Sequence, residues 1–102
     1  MNAHITLRFP TGYQVNDIYN DNIDVHFITE FGEAYFAVVY TLENIAYLMK
    51  KDNTTCFWGE DMVIVSDLRE ETILSAAIEI YSSGFIKSIC TYAGNINNSN
   101  EE

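Results

Sequence analysis

The stretch CFWGEDMVIVSDLREET, Cys56 to Thr72, gathers residues that could do chemistry. It holds the only Trp of the chain, Trp58, and the acidic pair Glu60-Asp61. A thiol (Cys56) and a second acidic group (Asp67, Glu70 and Glu71) flank them. Paired carboxylates can share acid–base work, an activated thiol can act as a nucleophile, and Cys with His can hold a metal.

Each of these chemistries needs partners at a defined spacing. Glu60 and Asp61 are adjacent, and neighbouring side chains on extended chain point to opposite sides. No basic residue beside them marks a phosphate pocket. Nucleophilic catalysis needs a base next to the Ser or Cys and a group that orients the base. The only histidines, His4 and His26, fall in strand-like segments, away from any Gly-rich turn. Cys56 and Cys90 are far apart, with no Cys-x-x-Cys and no paired His. His26 and Glu30 stand four apart, which on a strand separates them by about 13 Å. No phosphate loop, dinucleotide fingerprint or calcium loop is present. The expectation is a protein that is not an enzyme and carries no catalytic residue, cofactor or metal.

Trp58 admits two readings. It packs on a sheet edge and fixes its loop, or it anchors a basic protein surface while Glu60 and Asp61 pair with Lys and Arg. Asp67, Glu70 and Glu71 read as helix-terminus residues that cap and oppose the helix dipole.

Charge favours binding. Five Lys and Arg face fifteen Asp and Glu, for a formal net charge of −10. No Lys or Arg lies between Arg8 and Lys50, an interval that holds Asp17, Asp21, Asp24, Glu30, Glu33 and Glu43. Such a field repels nucleic acid and anionic membrane and steers basic partners inward. The seven tyrosines lack the Lys and Arg that a nucleic-acid stacking site needs. Acidity that only keeps the chain soluble is the plainer alternative.

The length of 102 residues suits one domain, and 48% hydrophobic composition supplies a core. No stretch approaches a membrane span, and the N-terminus lacks a signal-peptide pattern. Cytoplasmic residence with reduced thiols is expected.

The elements that must position these residues follow from periodicity. Ile5, Leu7 and Phe9 alternate with polar residues, as on a half-buried strand that Pro10-Thr-Gly ends. A polar loop follows. Ile23 to Glu30 and Tyr35 to Tyr40 read as two strands joined through Gly32. Thr41 caps a helix from Leu42 to Lys51, with Leu42, Ile45, Ala46 and Met49 as its apolar side. Met62-Val-Ile-Val-Ser reads as a buried strand. Asp67 and Glu70 have capping-box spacing ahead of a helix, Arg69 to Ser83, that Gly84 closes. Phe85 to Tyr92 reads as the last strand. The prediction is one α+β domain, residues 1–93, followed by a polar, flexible tail, 94–102. Its order is β-β-β-α-β-α-β, a small, mostly antiparallel sheet with two helices packed on one face.

The pattern from Phe57 to Cys90 is Phe-Trp-x-x-Asp-Met-Val-Ile-Val-x-Asp-Leu, a capped helix, then Gly-Phe before a strand. It resembles a group of small acidic bacterial proteins without assigned activity, similar in size and charge to toxin-immunity proteins. The resemblance implies a bacterial or mobile-element protein that neutralises a toxin. It carries no catalytic motif and transfers no site residue.

The expected function is thus an acidic cytoplasmic binding protein of immunity type. It would occlude the basic active site of a toxin such as a nuclease through Trp58, Glu60, Asp61, Asp17, Asp21 and Asp24. The competing reading is a homo-oligomeric structural or adaptor module that pairs edge strands across a two-fold axis.

Overall fold

A computed structural model describes residues 4–98 of the chain. The fold is α+β, with a five-stranded, mostly antiparallel sheet. Strands β1 (Ile5–Arg8), β2 (Asn22–Thr29) and β3 (Glu33–Thr41) form an antiparallel meander. Helix α1 (Leu42–Asp52) and a loop carry the chain to β4 (Met62–Val65), which runs parallel to β3. Helix α2 (Glu70–Ser83), the short helix α3 (Ile86–Ile89), β5 (Thr91–Asn95) and a 3-10 turn (Ile96–Asn98) follow.

Strand alternation creates the core. Ile23, Val25 and Phe27 of β2 stand opposite Val39, Ala37 and Tyr35 of β3, so all six side chains share one face. Ile5 of β1 and Val63 and Val65 of β4 extend that face. Helix α2 lies across it, touching β1 and β4 and burying Ile73 and Ala77 completely. Leu68, at the approach to α2, is buried with them. Each large apolar side chain enclosed there contributes about 2 kcal/mol.

Helix α1 is placed differently. Thr41 caps it as its sequence predicts, its hydroxyl accepting from Asn44 N at 3.1 Å. Of its expected apolar side, however, Leu42 and Ala46 are exposed, and none of its residues joins the core cluster. Its buried residue is Asn44, whose side chain bonds Asn20 Oδ1 at 3.0 Å and the Asn22 amide at 2.8 Å. Amides tie the helix to the polar loop before β2, while Ile45, Leu48 and Met49 are half-buried outside the core cluster.

The Phe85–Tyr92 segment is not a continuous strand. Gly84 ends α2 with φ 86°, and Phe85 N bonds back to Ile80 O. The chain then makes the turn of α3, because Ile86 and Cys90, four residues apart, both bury against the core. A strand would put Ser88 on the same buried side, whereas the helical turn leaves Ser88 exposed and brings Ile89 toward the core. The strand begins later, at Thr91, and runs to Asn95, so the expected tail boundary at Gly94 falls inside β5. Residues 99–102 of that tail lie outside the described residues.

Gly32 holds the β2–β3 turn with φ 85°. That conformation requires glycine; a Cβ there would also push aside the ends of the Asn97 and Asn95 side chains, 2.5 Å and 2.8 Å away. Asn95 and Asn97 donate to Phe31 O and fasten the end of β5 to this turn.

Candidate functional site

β4 and β5 lie end to end on the same side of β3. β4 pairs with Val38 to Thr41, and β5 with Glu33 to Phe36. Both strands begin at the junction, at Met62 and Thr91, and diverge from it. The loop that enters β4 is Asn53 to Asp61, so the junction displays Gly59, Glu60 and Asp61.

This loop is held at two points. Phe57 sets its ring edge-on to Tyr40, with centroids 5.1 Å apart. Tyr40 alternates with the core residues Val39 and Thr41, so Phe57 covers the sheet face opposite the core. At the other end Asp61 O accepts from Val38 N at 2.7 Å, and the Asp61 carboxylate accepts from the Thr91 hydroxyl at 2.7 Å. Asp61 takes φ 60°, a left-handed conformation that Asp tolerates better than most residues. Between these anchors Trp58 points outward, 80% exposed. The sheet-edge packing considered for Trp58 does not occur.

A cleft of roughly 540 Å³, open to solvent, lies beside the loop. Glu60, Asp61, Lys87, Cys90 and Thr91 are among its lining residues. Cys90 is buried, and its thiol is pushed up to about 11, first by burial and then by the charge of Asp61. It is therefore a protonated packing residue at neutral pH. Cys56 is exposed, and both cysteines are free thiols.

The remaining candidates separate. Asp24 stands opposite Val38, which stands opposite Met62, the residue after Asp61. Asp24 is exposed and lies in the row of Met62, the first residue after the loop, roughly 10 Å across two strand spacings. Asp17 and Asp21 are turn residues. The Asp17 carboxylate accepts from Tyr19 N at 2.9 Å, and the Asp21 carboxylate from Asn22 N at 2.8 Å. Trp58, Glu60 and Asp61 thus share one loop, Asp24 lies two strands from its end, and Asp17 and Asp21 shape the loop that leads to β2.

Asp67 does not form the expected capping box. Its buried carboxylate accepts from Arg69 N at 3.0 Å and from the Thr72 hydroxyl at 2.8 Å. These bonds hold its pKa below the ordinary carboxylate value. Arg69 also donates to the Tyr19 hydroxyl at 2.9 Å and pairs with Asp67 at 3.2 Å. This cluster locks the polar loop to the start of α2.

His26 projects from the sheet face opposite the core, between Arg8 and Phe36, and His4 precedes the far end of β1. Among the described residues no group of three or more His, Cys, Asp or Glu converges as a metal site. Among the same residues no helix is long and apolar enough to cross a membrane. Thr91 and Lys87 are the site residues that sequence reasoning missed. Thr91 reaches Asp61 across thirty positions of chain, and no local pattern marks such a pair. No protein-family model matches the chain, and no curated protein or solved structure matches it.

Proposed function

We propose that this is an acidic cytoplasmic binding protein whose working surface is the Trp58–Asp61 loop with Asp24. The observation that supports it is Trp58, 80% exposed on a loop anchored at both ends by Phe57 and Asp61. A large aromatic ring held in water by a fixed loop is an anchor awaiting a pocket, and preorganisation lowers the entropy lost on docking. Glu60 and Asp61 follow it in the same loop, Asp24 lies two strands from the end of that loop, and the chain carries −10 overall. The partner is therefore a basic protein. The resemblance to immunity proteins extends this to inhibition: the carboxylates occupy the cationic cleft of a toxin such as a nuclease and exclude its phosphate substrate.

Trp58 is the sole Trp, so its fluorescence reports docking directly. A basic protein captured from the native host at low salt should shift that emission, and its association should slow steeply as salt rises. Trp58→Ala should leave folding stability within ~0.5 kcal/mol, yet weaken the complex by about 2 kcal/mol. Association indifferent to salt, or a complex untouched by Trp58→Ala, sinks this reading.

A further inference from the structure

β4 is the terminal strand of its sheet, and among the described residues its outer edge is unpaired. Val38 N donates to Asp61 O, and backbone groups alternate sides along a strand. Val63 and Val65 therefore turn their N–H and C=O toward β3, and Ile64 turns both outward. Among the described residues no hydrogen bond outside the ladder reaches them. Edge strands are ordinarily defended by Lys, Pro, bulges or cover. β4, Met-Val-Ile-Val, has none of the first three, and Ile64 is 49% exposed. The opposite edge is defended: β1 carries exposed Arg8 and is followed by Pro10.

A groove of roughly 410 Å³ runs between this edge and α2. Ile64 and Val65 line one wall and Thr72, Ser75 and Ala76 the other, with Glu71 and Glu79 at its margin. The small residues leave room for side chains of an added strand, and the two exposed carboxylates oppose acidic ones.

We propose that the β4 edge accepts an extended, basic segment of the protein partner by strand addition. Main-chain hydrogen bonds to Ile64 would supply affinity. Lys or Arg at alternate positions would meet Glu71 and Glu79 on α2, and the small apolar residues between them would lie beside Ile64 on the opposite face. A second copy of this chain is the poorer occupant, because each copy carries −10. The inference rests on the reading that the partner is basic, and adds where and how it docks.

The test uses a short peptide alternating Lys and Val, its Glu-Val counterpart, and a Lys-Val version N-methylated at alternate residues. The Lys-Val peptide should bind the full chain, shift the amide signals of Met62 to Val65, and slow exchange of the Ile64 amide. The other two peptides should not bind. Ile64→Pro takes the outward N–H and no donor from the ladder to β3, so it should keep the circular dichroism spectrum while weakening the peptide about tenfold, as loss of a main-chain hydrogen bond does. Glu71→Lys with Glu79→Lys should weaken it comparably and serves if Ile64→Pro misfolds. Binding that survives N-methylation, or shifts confined to Trp58–Asp61, overturns strand addition and leaves the acidic-surface reading standing. Failure of the Lys-Val peptide to bind, with a captured basic partner still binding through Trp58, does the same. A dimer of the free protein that Ile64→Pro dissociates overturns the choice of occupant.

Discussion

The Asp61 carboxylate accepts the Thr91 hydroxyl at 2.7 Å across the gap where β4 and β5 begin on one edge of β3. One side chain thereby stitches two strands that do not pair with each other, while its backbone, at φ 60°, turns the loop that carries Trp58. Asp61→Ala removes the bond and places Ala in a left-handed conformation, so it should cost about 2 kcal/mol in urea denaturation. Asp61→Asn keeps an acceptor and tolerates the turn, so it should cost less than half as much. Equal stability of Asp61→Ala and wild type would remove the stitch from the account.

His26 should make stability fall in mild acid. Burial first, and Arg8 second, hold its pKa below 6.5, against the opposing pull of Asp24. The folded state thus binds this proton less readily than the unfolded state. The stability His26 contributes is complete above the unfolded value of about 6.5 and is lost as pH falls through the lower folded value. Thermal melts from about pH 7.5 to 5 should show a declining midpoint, and His26→Gln should flatten part of that decline.

Asp67 acts at lower pH and with the same sign. The Arg69 N–H and the Thr72 hydroxyl stabilise its charged form, and desolvation only partly opposes them. Its contribution is present above the ordinary carboxylate pKa and disappears as pH falls through the depressed folded value. Asp67→Asn should lower the melting midpoint at neutral pH. The gap from wild type should close as pH falls through that depressed folded value, where both chains carry a neutral group.

Asn44 tests how α1 is attached. It bonds Asn20, Asn22 and Thr41 and is the buried residue of its helix. Asn44→Ala strips partners from two half-buried or neighbouring amides and should cost about 1–3 kcal/mol. Hydrogen exchange should show α1 and residues 16–22 opening before the sheet. Uniform destabilisation with no local opening would place the helix within the main cooperative unit.

Much of the local architecture was legible in the chain. The alternation of Ile23, Val25 and Phe27, the Thr41 cap, and the glycines at 32 and 84 all rest on backbone physics within a few residues. The net charge was legible too, because it needs no fold. The site was legible only as a cluster of residue types. Trp58, Glu60 and Asp61 stand out in any reading, and nothing in their neighbours told whether the ring packs inward or stands in water.

What the tertiary structure decided concerns partners distant in sequence. It set β5 beside β3 in line with β4, turned Ile86 to Ile89 into helix, and left the expected apolar side of α1 largely outside the core. It also placed Asp24 in the row of Met62 while engaging the Asp17 and Asp21 carboxylates with nearby backbone N–H groups. Hydrophobic burial is non-directional, so the same apolar residues satisfy several pairings locally. Only the summed packing of the whole chain selects among them.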